Sequence, residues 1–154
     1  MPGYAEEHLK PTESLGRFIS CLYRHTRAYV GKELEHHNIG IGSGQFPFLM
    51  ALYNKDGITQ EDLAHLFEVD KATSARAIKK LHKAGFITRK RDAADKRMYR
   101  IFVTEKGRAL EPVVKKVSSE WTAHLLSGFE EEEKGYIIYL LKKMVDNISS
   151  EVTP

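Results

Sequence analysis

Residues 59–103 read TQEDLAHLFEVD KATSARAIKKLHKAG FITRKRDAADKRMYRIFV, and this stretch decides the fold. Thr59, followed three residues on by Asp62, reads as a capping-box-like helix start with Asp in place of the usual Glu or Gln. The helix it opens is short, and Leu63, Ala64, Leu66 and Phe67 are expected to face a core. Glu68-Val69-Asp70 is a tight connection, with Asp70 placed to cap a second helix over residues 71–84 and Gly85 placed to end it. Two short helices joined in this way form a helix-turn-helix. Two alternating runs follow, Phe86–Arg91 and Met98–Val103, separated by the polar loop Asp92-Ala93-Ala94-Asp95-Lys96-Arg97. A helix-turn-helix followed by a β-hairpin is a winged helix.

Outward from this unit the pattern is helical. Leu15, Phe18, Ile19, Leu22, Tyr23, Tyr29, Val30 and Leu34 recur mostly three or four apart and predict one long helix over residues 12–37. Asn38 to Gly44 holds three glycines and ends it, with Ser43 expected to cap a helix over residues 45–54 whose Phe46, Leu49, Met50, Leu52 and Tyr53 point inward. On the other side Thr104 is expected to cap a helix over residues 105–126, with Pro112 positioned to kink it. Four glutamates, Glu130 to Glu133, stand where a helix dipole favours anions and open a last helix to residue 149. The predicted class is mostly α with a small β-hairpin wing (α+β). Residues 41–104 form the winged helix-turn-helix lobe, and residues 1–40 with 105–154 form a flanking helical region.

The chain has 154 residues, 42% hydrophobic and 29% charged, a globular composition with room for one domain plus extensions. No run approaches the ~18 apolar residues of a membrane span. The acidic N-terminus lacks the apolar core of a secretory signal, and Cys21 is alone, which excludes an internal disulfide and reads as an inert buried thiol. These features predict a cytoplasmic protein. The seven histidines include the neighbours His36 and His37, which diverge by about 100° on a helix, so no metal and no other cofactor is expected. No nucleophile elbow, zinc-protease or P-loop pattern occurs, so the expectation is a non-enzyme.

The net charge of +3 conceals a polar distribution. Residues 71–108 carry thirteen Lys/Arg against three acids, Asp92, Asp95 and Glu105, whereas residues 55–70 carry one Lys and five acids. A basic block of this kind fits a polyanion, and double-stranded DNA is the expected partner. The alternative for its lysines is a solvated helix face. The helical step sorts the 71–84 helix: Ser74, Ala77, Ile78 and Leu81 fall on a core side, with Ala72, Arg76, Lys79 and Lys83 opposite. Lys71, Ala72, Thr73, Ala75 and Arg76 form the expected base-reading set: small residues permit close approach, Thr73 can donate, accept or offer its methyl to thymine, and Arg76 suits guanine. Thr59, Lys79, Lys80, Lys90 and Lys96 are expected to hold phosphates. Arg97, oriented by Asp95, is placed at the wing tip to enter a minor groove.

The order of helix, Gln45-Phe46 helix, Thr59–Phe67 helix, helix ending Lys83-Ala84-Gly85-Phe86-Ile87, then Asp92-x-x-Asp95-Lys96-Arg97 and Val103-Thr104-Glu105-Lys106-Gly107, resembles the MarR family of transcription regulators over nearly the whole chain. The aspartate–arginine loop followed by a strand and Thr-x-x-Gly is the most specific part. The resemblance implies a homodimer with interleaved first and last helices, binding to a pseudo-palindromic operator, usually as a repressor. It also implies release by a small phenolic or other anionic effector between the lobes. It places the recognition helix at 71–84 and the wing arginine at Arg97.

A dimer also follows from the residues: Phe18, Ile19, Leu22, Trp121, Ile137, Leu141 and Met144 are more apolar surface than one short chain covers. Two recognition helices related by a twofold axis would lie roughly 34 Å apart, one DNA turn. Arg17 is the candidate counter-charge for an effector, the alternative being a surface arginine. Other readings of the whole chain are a winged helix that docks a protein and a sequence-nonspecific DNA binder.

Overall fold

The computed structural model describes residues 10–149, without the side chain of Glu13. The N-terminal segment 1–9, read above against a secretory signal, lies outside the described residues, as do residues 150–154 of the C-terminal helical region.

Helix α1 (Pro11–His36) starts on a proline, which gives up no intrahelical bond there. Its C-terminal part buries Val30 and Leu34, while Leu15, Phe18, Ile19 and Leu22 stay about half exposed. Helix α2 (Phe46–Asn54) is not capped by Ser43: Gln45 occupies the cap position, and the Ser43 hydroxyl instead accepts from Arg27 Nε at 3.2 Å. Of its expected inward residues Met50 is only half-buried, and Phe48 takes its place in the core.

A two-residue strand β1 (Ile58–Thr59), too short to carry a periodic signal, leads into helix α3 (Gln60–Leu66). The Thr59 hydroxyl accepts from the Asp62 amide at 3.0 Å, the expected cap. Leu63 and Ala64 are buried, but Leu66 is 59% exposed, because it lines a wide cavity and not the core. Helix α4 (Lys71–Lys83) buries Ser74, Ala77, Ile78 and Leu81, the core side assigned by the helical step. Gly85, at φ +78°, supplies the left-handed turn that releases the chain into the wing.

The wing strands β2 (Ile87–Arg91) and β3 (Tyr99–Val103) pair antiparallel with Arg89 opposite Ile101 and Arg91 opposite Tyr99. Strand β1 joins the other side of β3, Ile58 opposite Ile101, giving the order β1-β3-β2. Beyond the wing the expected single helix is two, α5 (Glu105–Ala109) and α6 (Glu111–Leu125). Thr104 caps α5 as expected, but the chain breaks at Leu110, because Pro112 cannot continue the hydrogen-bond ladder and begins a new helix. Helix α7 (Glu131–Ser149) buries no residue.

Helix α6 packs along α1, where Trp121 Nε1 donates to Thr26 Oγ1 at 2.9 Å and stacks on Tyr29 at 4.8 Å. One apolar cluster runs from Val30 and Leu34 through Leu49, Leu52, Ile78, Leu81 and Ile101 to Val114 and Val117, so it crosses both sequence positions expected to separate the lobes. Among the described residues no helix is long and apolar enough to cross a membrane. Cys21 is free and half-exposed, not fully buried as expected.

Candidate nucleic-acid interface

Helix α4 turns its core side inward through four residues and so presents the rest to solvent. Lys71, Ala72, Arg76, Lys79, Lys80 and Lys83 are exposed, while Thr73 and Ala75 are half-buried. Arg76, Lys79, Lys80, Lys83 and Lys96 take no salt-bridge partner among the described residues, whereas Lys71 lies 3.5 Å from Glu61. Unpaired cations on one helix face repel each other until a polyanion neutralises them.

The helix start is more ordered than a cap alone requires. Asp70 Oδ1 accepts the Thr73 amide at 2.8 Å, and Asp70 Oδ2 accepts the Thr73 hydroxyl at 2.7 Å. Arg76 Nη2 in turn donates to Thr73 Oγ1 at 2.8 Å. The Thr73 hydroxyl and then its amide hold the Asp70 carboxyl below the usual carboxylate range. Thr73 therefore has no proton left to donate to a base in this geometry.

The wing loop is built around two aspartates. Asp92 is 7% exposed and accepts from the amides of Ala94 and Asp95 at 2.8 and 2.9 Å, closing the loop base. Those bonds, the Asp95 amide foremost, and the Arg100 guanidinium hold its carboxyl below the ordinary range. Asp95 takes the Arg97 amide at 3.0 Å and chelates the guanidinium from Nε and Nη2, both at 3.2 Å. Arg97 is thus oriented by Asp95 while its side chain stays 90% exposed at the tip.

The pleat divides the remaining wing cations. Arg89 and Arg91 share a face with Tyr99, their guanidiniums 5.0 and 5.8 Å from its ring centre. Lys90 points to the other face, over Phe102 at 5.1 Å. The first face looks onto a cleft of about 230 Å³ between the start of α3, helix α4 and the wing, lined by Lys71, Ser74, Arg89, Arg97 and Tyr99 among others. Arg89 therefore lines the cleft between α4 and the wing tip, while Lys90, expected from the sequence to hold a phosphate, points to the opposite face. Alternation separates the two residues, but only the packed wing shows which face meets α4. Thr59 also lines this cleft, but it is 3% exposed, and its hydroxyl oxygen accepts the Asp62 amide of the α3 cap, so little of its side chain is presented to a phosphate.

A larger cavity of about 1380 Å³ opens between α1, α2, α3 and α6. Its wall includes Tyr23, Arg27, Phe46, Met50, Leu66 and Trp121. Arg27 donates to Tyr23 Oη at 3.3 Å and to Ser43, and no carboxylate pairs with it among the described residues. Arg17 is not part of this wall: it is exposed, its guanidinium 4.9 Å over the Phe18 ring. Sequence reading missed Arg27, although its spacing of four from Tyr23 puts both on one helix face.

Known proteins share this architecture. The MarR family model matches residues 41–99. The Bacillus subtilis protein called uncharacterized HTH-type transcriptional regulator YybA is 38% identical over 77% of this chain and 79% of its own length. A crystal structure of a MarR transcriptional regulator from Methanosarcina mazei superposes with a TM-score of 0.82 at 48% identity, covering 91% of this chain and 99% of that one. A MarR family regulator from Listeria monocytogenes, solved with a 26mer DNA, gives 0.80 at 33% identity over 88% and 89% of the two chains. With the capped recognition helix, the aspartate-built wing and these likenesses in place, the chain belongs to the MarR family of winged helix-turn-helix transcription regulators.

Proposed function

We propose that this chain is a sequence-specific DNA-binding repressor that acts as a homodimer on a pseudo-palindromic operator and is released by a small aromatic anion. The observation that carries the reading is that Lys71 of α4 and the chelated Arg97 line one cleft, with the unpaired Arg76, Lys79, Lys80 and Lys83 exposed along the same helix. Residues 41–104 are the DNA-binding lobe in this reading, and residues 1–40 with 105–154 the dimerisation region. Lys71, Ala72, Thr73, Ala75 and Arg76 meet base edges in the major groove, with Arg97 in the adjacent minor groove. Lys79, Lys80 and Lys96 hold phosphates, joined by Arg89 in the cleft. The exposed apolar faces of α1 and α7 support the dimer: Leu22 is 50%, Ile138 61% and Ile148 57% exposed.

The cavity beside Arg27 supports the effector. Apolar and aromatic walls with two cations, Arg27 and Lys55, that take no carboxylate partner among the described residues suit a ring bearing a carboxylate or phenolate, and Arg27 is the one set among the aromatic side chains of Tyr23 and Trp121. That assigns the counter-charge to Arg27 in place of Arg17.

Fluorescence anisotropy with a wild-type-selected duplex and a random duplex at about 150 mM salt tests the function. A specific regulator binds the selected duplex roughly 10³-fold or more tightly than the random one. Arg97→Ala is expected to cost about 1–3 kcal/mol on the selected duplex. Equal, steeply salt-dependent binding to both duplexes would mean a nonspecific binder. Binding to neither would leave the basic face as a protein-docking surface.

A further inference from the structure

The recognition helix holds a three-residue chain that a simple N-cap does not need. Asp70 is acceptor-only when ionised, so the proton between its Oδ2 and Thr73 Oγ1 belongs to threonine. A hydroxyl has one proton and two lone pairs. With that proton committed, the Thr73 oxygen faces Arg76 purely as an acceptor, and Arg76 Nη2 donates to it at 2.8 Å. The second Asp70 oxygen takes the Thr73 amide, so both ends of Thr73 are fixed by one carboxylate.

Direction matters as much as bonding. Side chains on a helix lean toward its N-terminus, and Arg76 reaches back three residues to Thr73. The guanidinium therefore lies over the first turn of α4, the end of a recognition helix that meets base edges. One of its five N–H groups is held by Thr73, and the rest of the fork stays open. A free arginine side chain loses rotamer entropy when it is fixed. Holding it beforehand removes part of that loss from the binding step.

We propose that Asp70, without touching DNA, is a specificity-determining positioning residue: its carboxylate orients the Thr73 hydroxyl, and Thr73 orients the Arg76 guanidinium for reading one base pair. This rests on the base-reading role given to Arg76 above. Base selectivity at that position then depends on a residue three hydrogen bonds away from the base, the carboxylate that caps a strongly basic helix.

The variants Asp70→Asn, Thr73→Val and Arg76→Ala separate the outcomes. Asparagine is as good an N-cap as aspartate, so Asp70→Asn keeps the helix start through Oδ1, while the Nδ2 that stands in for Oδ2 is a donor and cannot accept the Thr73 proton. Thr73→Val keeps the shape and deletes the oxygen, and serves if Asp70→Asn fails to fold. Each is measured by thermal unfolding, by anisotropy with the selected and random duplexes, and by reselection from a randomised duplex pool. Loss of a negative charge strengthens binding to every duplex alike, so the selected-to-random ratio is the quantity read. Asp70→Asn and Thr73→Val are expected to unfold near wild type and to keep the salt slope. Their ratio falls roughly 5- to 20-fold, with reselected sequences relaxed at the same base pair as in Arg76→Ala. Relaxation in Arg76→Ala with full selectivity in the other two overturns the positioning role alone. Full selectivity in Arg76→Ala overturns the base-reading role as well.

Discussion

Arg100 and Asp92 lock the wing at its base: Arg100 Nε donates to the Asp92 carboxylate, and Nη1 of the same guanidinium donates to the Gly57 carbonyl at 2.9 Å. One side chain thereby ties the wing loop to the turn that precedes α3. That tie adds to the pairing of β1 with β3 and to the bond from the Val103 amide to Asp56 Oδ1, which also join the wing to the turn before α3.

Arg100→Ala is expected to speed amide hydrogen exchange at Ala94 and Asp95, whose N–H groups are held by Asp92, and to leave exchange in α4 unchanged. Equal exchange in the variant and the wild type would show that the loop closes without Arg100.

The same aspartate sets an acid limit. Its carboxyl lies below the ordinary range in the folded protein, chiefly through the Asp95 amide, then Arg100 and the Ala94 amide. A depressed folded value contributes stability above the unfolded value, near 3.9, that is lost as pH falls through the folded one. Wing protection measured by exchange should thus be flat from pH 7 to about 5 and fall only below about 4. Asp92→Asn removes that acid limb; a variant that keeps it assigns the limb to other carboxylates.

Tyr53 and Gly107 join α2 to the start of α5. The Tyr53 hydroxyl donates to the Gly107 carbonyl at 2.8 Å, and burial pushes the phenol up to about 12. Tyr53→Phe should cost about 1–2 kcal/mol in urea unfolding, since a buried carbonyl loses its partner. Gly107→Ala should cost more, about 3 kcal/mol, because a Cβ there would stand 2.2 Å from the Phe86 carbonyl oxygen and 2.8 Å from Val103 Cγ1. A neutral alanine would mean that the backbone shifts at little cost.

Trp121 is the only tryptophan in the sequence and lines the large cavity, so its fluorescence reports occupancy directly. Titration with salicylate should give a saturable change, weakened about 10- to 100-fold in Arg27→Gln, the scale of one charge-assisted hydrogen bond. Arg17→Gln should match wild type. If the two variants behave alike, Arg27 is not the counter-charge.

The proposed dimer places Ile19 and Ile138, 48% and 61% exposed in one chain, against a second copy. Sedimentation of the wild type should give twice the 17.6 kDa of one chain, and Ile19→Glu or Ile138→Glu should shift it toward one. A wild type that sediments as a single chain removes the dimer.

The sequence by itself determined what acts over a few residues. Thr59, Asp70 and Thr104 were legible as caps because each bonds an amide three residues on, a range the chain sets locally. The core side of α4 followed from the helical step, and the wing from alternation around the Asp92–Arg97 loop. The tertiary structure decided whatever depends on the residue opposite. Strand β1 exists only because Ile101 pairs with Ile58, and Ser43 meets Arg27 instead of capping α2. Leu66 looks like core until the cavity beside it is seen, and Arg27, not Arg17, reaches that cavity. Arg89 and not Lys90 faces α4, since the pleat alternates side chains without saying which face will be covered. The chain Asp70–Thr73–Arg76 spans both regimes: its spacing was in the sequence, but the acceptor and the donor at the Thr73 hydroxyl could be assigned only once all three side chains were placed.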